Sequence, residues 1–515
     1  MEQIRMGSSV LGALLVGSAL TGWVGRTATI DTLPGPETEW ASAILAAARG
    51  ASPSMCQMAS RAVERYGGWG GFGPPGIEDS SAAVHWALGR HAGEDAVPVL
   101  LAGLGDSDAC VRGLSARLIA RAESPAATRG LLQALGSAAP STRAAASLAA
   151  GLGDVTAALD PLIRQLKDGT LEVRLMAAWA LGALDESRAV APLRDVLQDN
   201  VPVVRAAAAT ALGRLADTSA VNALSRVLRS DPDERVRLAA AQALGRLGAR
   251  EGVTALTAGL GDRSAAVRRA SAWGLGNLGT PEAGPALVRA LDDSEWEVRE
   301  MVTWALGQRG ARSGVEPLGR RLAADGQAEV RRSAAWALGQ LGDHAAIDPL
   351  ATALRKDSDT EVRKMAAWAL GQLDDGQGAS ALTVALQDSA AGVRGRAAWA
   401  LGQIKPDRAP GALIVAVRDR DSDVRQKAAW ALGKIEDSAG IKVLREAMRD
   451  SDGGVRRAAL WALSQMDDDA ARDALVDELK NEDPEVRANA ARALGRSRQN
   501  PWPWPWPMPM PRPFP

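Results

Sequence analysis

From residue 80 to residue 499 the apolar positions repeat with two superposed periods. Ile347, Leu350 and Leu354 fall at helical spacing, and Val362, Ala366 and Leu370 do so again, so each unit predicts two antiparallel helices. Pro349 falls in the first turn of the first helix, where its missing N–H is tolerated, and Asp359 is placed to cap the second. The longer period follows the phrase AAWALGQL. Aligned on the arginine of the preceding Val-Arg pair, it places Arg174, Arg205, Arg237, Arg268, Arg299, Arg331, Arg363, Arg394, Arg425, Arg456 and Arg487 at intervals of 31 or 32 residues. The register extends back to Arg112 and Arg143. One step further Trp86, Leu88 and Gly89 are in phase, although Ser81 replaces the arginine. About fourteen such units predict an all-α solenoid, a superhelical array in which each unit buries its apolar face only against its neighbours. Gly371 lies inside a second helix, and Gly182, Gly213, Gly245, Gly276, Gly307, Gly339, Gly402 and Gly433 share its phase. This predicts close helix approach between units, since only a missing side chain leaves room.

The aspartate six residues before each arginine, as at Asp357, Asp388, Asp419 and Asp450, with a proline fourteen before it, resembles the HEAT repeat. The short unit and its AAxALG phrase look like the phycobilisome-lyase type. The resemblance implies an Asp–Arg ladder between neighbouring units, made by Asp168, Arg174, Asp199, Arg205, Asp262, Arg268, Asp293, Arg299, Asp357, Arg363, Asp388, Arg394, Asp419, Arg425, Asp450 and Arg456. The third unit, SAAPSTRAAASLAAG, lacks both the aspartate and the tryptophan, so the ladder is expected to be interrupted or bent near Arg143.

Nine tryptophans sit five residues after the repeat arginine: Trp86, Trp179, Trp273, Trp304, Trp336, Trp368, Trp399, Trp430 and Trp461. The last seven are in consecutive units. At about 100° per residue, Trp368 lies roughly 145° from the centre of the face carrying Val362, Ala366 and Leu370. Its neighbours Lys364 and Gln372 are polar, as are Gln426 and Lys434 in another unit. The rings are therefore expected to face away from the core of their own unit. In HEAT-like solenoids that position lies on the concave side. Seven half-exposed rings would present roughly 500 to 900 Å² of aromatic surface, enough to anchor a protein or peptide partner. The alternative is that each ring lies flat between adjacent second helices and completes the stack.

Residues 1–26 read as a signal peptide or membrane anchor, with Arg5 ahead of an uncharged run from Met6 to Gly25 and small residues at Gly17, Ser18 and Ala19. They predict export, with the protein periplasmic or held at the membrane by its N-terminus. Residues 27–78 lack the repeat. Within them, Glu39 to Tyr66 is expected to be helical and to close the apolar end of the array, and Gly67 to Gly76 is a glycine-rich linker with no lysine or helix start to make a phosphate cradle. The repeat array spans 79–499. Residues 500–515 form a tail in which Pro alternates with Trp502, Trp504, Trp506, Met508, Met510 and Phe514. Proline forbids helix and ladder pairing there, leaving an extended polyproline-type segment that either docks on an aromatic groove or membrane interface or has no partner.

Composition narrows the function. With 60 basic against 61 acidic residues the chain offers no electrostatic footprint for nucleic acid. Its two cysteines, Cys56 and Cys110, either form one bridge in an oxidising compartment or are unrelated thiols. The three histidines, His85, His91 and His344, precede Trp86, Ala92 and Ala345, so the paired His-Glu motifs of di-iron HEAT-like relatives are absent, as is a His-Glu-x-x-His zinc motif. No catalytic set, metal site or cofactor is expected, and the carboxylates are accounted for by helix caps and the ladder. The sequence therefore reads as a non-catalytic scaffold that binds a protein along its tryptophan-lined second helices. The resemblance keeps open an accessory or catalytic-subunit role, either bilin-lyase-like or like the oxidoreductase deoxyhypusine hydroxylase, the latter disfavoured by the missing His-Glu pairs.

Overall fold

The computed structural model describes residues 41–42, 45–46, 48–50, 94–122, 124–308, 312–482 and 484–495. The targeting segment, the unit read back to Ser81 and Trp86, and the Pro/Trp tail lie outside them. The described residues are helical throughout, in two compact units, 1–255 and 256–515. None of their helices is long and apolar enough to cross a membrane.

Both units are built from the same element pair. A short first helix, often entered through a single 3-10 turn, is followed by a longer second helix that packs on it and on the second helices of the flanking repeats. In the repeat around residue 360 the pair is Ile347–Lys356 and Thr360–Gln372. Ile347, Leu350 and Leu354 are buried from one side and Val362, Ala366 and Leu370 from the other, so the helical spacing of apolar residues becomes the core of the repeat. The Asp359 carboxylate accepts from the backbone N–H groups of Glu361 and Val362, satisfying donors that have no intrahelical partner. Eleven residues after the repeat arginine the chain turns left-handed. Gly248, Gly279 and Gly342 hold that position, and Asp154, Asp185, Ala216, Asp374, Lys405 and Glu436 adopt the same positive φ without being glycine. The turn thus belongs to the repeat rather than to any one residue.

Nine arginines make a fork across to an aspartate of the next repeat; Arg456, which the resemblance also implied, has Asn481 at that position instead. In unit 1–255 the pairs are Arg143–Asp168, Arg174–Asp199 and Arg205–Asp231. In unit 256–515 they are Arg268–Asp293, Arg299–Asp325, Arg331–Asp357, Arg363–Asp388, Arg394–Asp419 and Arg425–Asp450. In Arg299, Nε and Nη2 reach the two oxygens of Asp325 at 2.7 and 2.9 Å, while Nη1 donates to the Asp293 carbonyl at 2.9 Å. One side chain therefore ties the loop of its own repeat to the loop of the next, and Asp325 Oδ1, besides accepting from Arg299 Nη2, accepts from the Gln327 N–H of its own loop. Arg143, Asp231, Asp325 and Arg331 join the ladder although the pattern above does not assign them to it. Asp231, Asp325 and Asp357 close units of 32 residues, where the first helix runs ten residues instead of the seven of Val190–Val196 and the rung spans 26 positions instead of 25.

The expected break near Arg143 falls on the rung before it: Arg143 itself pairs with Asp168 at 2.8 Å, but Arg112 has no carboxylate to reach in the third unit. The third unit lacks only the acceptor for the rung before it: Ser137 stands at the aspartate position, and its hydroxyl keeps the local turn by accepting from Ala139 N–H at 3.2 Å. Arg112 meanwhile donates to the Asp106 and Ser107 carbonyls of its own repeat. Ser137→Asp should complete the rung and raise stability by about 1 kcal/mol, read as a higher thermal midpoint that Arg112→Met abolishes.

At the N-terminal edge Ala41, Leu45 and Ala48 are buried. Arg49 pairs with Asp106 at 2.6 Å, and Gly50 N–H donates to Asp108. Asp106 thereby receives its arginine from 57 residues upstream. Cys110, in the adjoining helix Ala109–Ile119, is disulfide-bonded, and the sequence has one other cysteine, Cys56, outside the described residues.

Candidate binding surface

The second helices carry three features in phase. The glycine eight residues after the repeat arginine faces the backbone of the next second helix. A Cβ built on Gly182 would lie 2.6 Å from the Ala211 Cα, and one on Gly433 would lie 2.5 Å from the Ala462 Cα. The close approach predicted from the glycine phase is thus a contact between second helices of consecutive repeats.

The tryptophan lies on that contact. A Cβ on Gly276, Gly307, Gly339, Gly371, Gly402 or Gly433 would come within 2.6 to 3.1 Å of Cζ3 of Trp304, Trp336, Trp368, Trp399, Trp430 or Trp461 respectively. Each ring therefore rests one edge in the notch left by the glycine of the preceding repeat. Trp336 and Trp368 are buried, at 4% and 8% exposure, and Trp273, Trp304, Trp399, Trp430 and Trp461 are half-buried. The expectation of seven half-exposed rings is too generous at the two central positions, because the missing glycine side chain lets the indole sink between helices. The Trp336 Nε1 is buried with no acceptor. Trp430 and Trp461 stack with centroids 6.4 Å apart and planes 13° from parallel, and the Arg396 guanidinium lies 5.7 Å from the Trp399 centroid.

The stack does not require the ring. Where Thr210 and Gln242 replace tryptophan, Gly182 and Gly213 still meet Ala211 and Ala243 at 2.6 and 2.7 Å. In unit 256–515 six of the seven tryptophans are accompanied by a carboxamide one turn further on. Trp273, Trp304, Trp336, Trp368, Trp399 and Trp461 are followed at the fourth position by Asn277, Gln308, Gln340, Gln372, Gln403 and Gln465, with Lys434 after Trp430. In unit 1–255 the same phase holds Leu152, Ala183, Arg214 and Arg246. Asn277, Gln308, Gln340 and Gln372 are exposed, and with Gln403 their side chains make no hydrogen bond among the described residues. Sequence reasoning passed over this row, though its signal, Trp-Ala-Leu-Gly-Gln, stands in the repeat phrase itself.

Charge is balanced along the helix starts. Lys364 pairs with Glu361 at 2.9 Å and Lys427 with Asp423 at 2.5 Å. Burial holds the Arg396 and Lys427 cations below their ordinary pKa and pushes the Glu300 carboxyl up. His344 is exposed on its 3-10 turn, with Nδ1 2.5 Å from Asp375. Among the described residues no group of His, Cys, Asp and Glu converges as a metal site. The ladder aspartates lie at the loop end of the repeat, away from the carboxamide row in sequence phase, and their role is structural. Burial would raise each carboxyl, but the arginine fork and a backbone N–H outweigh it. They hold Asp168, Asp293, Asp325, Asp357, Asp388, Asp419 and Asp450 below the usual aspartate range. A carboxyl whose pKa is lowered by folding stabilises the fold above its unfolded value, about 3.9, and loses that contribution as pH falls through the folded value. The thermal midpoint should therefore fall steeply below about pH 4, and a decline concentrated between pH 7 and pH 5 would contradict this assignment.

Comparison with known proteins agrees with this geometry. HEAT repeats match at residues 128–213, 197–265, 253–325, 290–371, 315–395, 347–415, 379–464 and 441–501. No curated protein matches the sequence. Among solved structures, a chain from the complex in which Kap95p binding induces the switch loops of RanGDP to adopt the GTP-bound conformation has a TM-score of 0.52 at 14% identity, over 94% of this chain and 72% of that one. That likeness concerns the fold.

Proposed function

Because the chain belongs to the HEAT-repeat family, a fold commonly used as a protein-interaction scaffold, we propose that it holds a protein partner along the second helices of unit 256–515 and performs no chemistry itself. The observation that carries this reading is the row of tryptophans paired, from Trp273 to Trp399, with carboxamides whose side chains make no hydrogen bond among the described residues. The helices stack without tryptophan at Thr210 and Gln242, so seven successive rings, four of them followed one turn on by the exposed carboxamides Asn277, Gln308, Gln340 and Gln372, exceed what the stack needs. Half-buried rings held by a glycine notch are rigid anchors, and carboxamides can pair with any peptide group. Trp273, Trp304, Trp399, Trp430 and Trp461 are the anchors in contact, and Trp336 and Trp368 shape the floor beneath them.

Export, through the N-terminal segment, forms part of the proposal. A disulfide at Cys110 supports an oxidising compartment, where such bonds persist.

Burial decides how the surface is tested. Trp336→Ala should lower stability by about 3–5 kcal/mol, because it empties a site that is 4% exposed, whereas Gln340→Ala should leave the thermal midpoint unchanged. Differential scanning calorimetry of the two variants checks this. The binding test therefore uses Gln308, Gln340 and Gln372 rather than the rings. Affinity capture from the native envelope fraction should recover a partner with the unmodified chain and lose it with the folded triple alanine variant. An identical set of captured proteins would overturn the assignment of this surface.

A further inference from the structure

We infer that the chain's own Pro/Trp tail, residues 501–515, docks in cis along the tryptophan and carboxamide rows of unit 256–515 and so competes with the partner. This rests on the reading of those rows as a binding surface.

The first argument is register. A polyproline II segment has three residues per turn and rises about 3.1 Å per residue, so one edge repeats every 9.3 Å or so. Packed helices repeat every 8–10 Å or so. Counted by threes, Trp502, Pro505, Met508, Pro511 and Phe514 share one edge of the tail, and Trp504, Pro507, Met510 and Pro513 share another. Both edges are apolar throughout. The third, Pro503, Trp506, Pro509 and Arg512, carries the one charge and is suited to face water. Alternate residues, about 6 Å apart, would drift out of phase with the helices, but successive turns keep step with them.

The second argument is chemistry. Prolines offer carbonyl acceptors and no N–H donors, and polyproline II makes no internal hydrogen bonds. A row of carboxamides beside aromatic rings supplies the donors and the apolar floor that such a segment takes. Gln340, Gln372 and Gln403 have that capacity unused among the described residues.

The third argument is position. The last second helix, Pro484–Leu494, packs beside Gly453–Gln465. The chain leaves it at Gly495, eight residues after Arg487, at the level where the neighbouring second helices present Gln465, Lys434 and Gln403. Fifteen residues of polyproline II span about 46 Å, long enough to run back past Trp461, Trp430, Trp399, Trp368 and Trp336 without crossing out of the unit.

The test is a fluorescein-labelled peptide of residues 501–515, titrated by fluorescence anisotropy against the full chain and against a chain ending at Asn500. The shortened chain should bind it, the full chain at least tenfold more weakly, and Gln340→Ala/Gln372→Ala/Gln403→Ala in the shortened chain should weaken it at least tenfold. A peptide with its prolines replaced by alanine should fail to bind. Equal affinity for both chains, or none for either, overturns the inference. So does a molar mass by light scattering that rises with concentration only when the tail is present, since the tail then docks on a second copy. The shortened chain should capture the partner at least as well as the full one. Failure of the peptide alone therefore removes the cis docking, whereas absence of capture by both chains removes the binding surface.

Discussion

Asp325→Ala should destabilise the repeats around it by about 3–5 kcal/mol, the largest effect expected of any single ladder change. The Asp325 side chain is 1% exposed, and its loss leaves the Arg299 guanidinium, 14% exposed, without its paired carboxylate. It also removes the acceptor for Gln327 N–H at the start of the helix Ala328–Leu341. The pair as a whole contributes less than this figure, because both ions were taken out of water to form it. Arg299→Met with Asp325→Leu should accordingly recover most of the loss. A stack of repeats does not unfold as one two-state unit, so the readout is hydrogen exchange in Val315–Ala324 and Ala328–Leu341 alongside the calorimetric transition. If the single substitution were as mild as the double, the ladder would be a surface decoration rather than a tie between repeats. The exposed pairs Arg188–Asp160 and Arg445–Asp477 provide the contrast, since breaking either should cost less than about 1 kcal/mol.

Gly433→Ala should destabilise by about 1–3 kcal/mol, although glycine to alanine in an open helix gains up to about 1 kcal/mol. The sign reverses because the new Cβ would lie 2.5 Å from the Ala462 Cα, 2.7 Å from its Cβ and 2.9 Å from Trp461 Cζ3. Backbone cannot rotate out of the way, so the two second helices must separate. Gly392→Ala is the control. There the nearest atom is Cδ of Lys364 at 3.2 Å, on a flexible side chain, and the substitution should be neutral or stabilising. Thermal midpoints moving in opposite directions would establish the notch, and two shifts of the same sign would remove it.

Much of this architecture is legible in the sequence because a repeat states each rule many times. The apolar spacing at Ile347, Leu350, Leu354 and at Val362, Ala366, Leu370 can be satisfied only by two helices facing each other, and the in-phase glycines require close approach. The ladder was legible in kind but not in full. Asp231 and Asp325 follow first helices of ten residues, which lengthen the rung to 26 positions, and which arginine meets which aspartate of the next repeat is fixed only by the stack. The tryptophans were legible as a row and not as a depth. A helical wheel places Trp368 opposite its own core, but the ring is buried by the adjacent repeat, whose glycine opens the space. The carboxamide row went unrecognised, with Gln372 read only as a polar neighbour of Trp368, because one exposed glutamine carries no signal; the row's significance comes from recurrence beside the rings.

The most direct test of the proposed surface is hydrogen exchange of the chain with and without its captured partner. The account predicts protection gathered at the C-terminal halves of Ala265–Leu278, Trp296–Gln308, Ala328–Leu341, Thr360–Gln372 and Ala391–Ile404, the segments that carry the rings and carboxamides. Protection confined to the first helices, such as Val315–Ala324 and Ile347–Lys356, would place the partner on the opposite side of the repeat and contradict it.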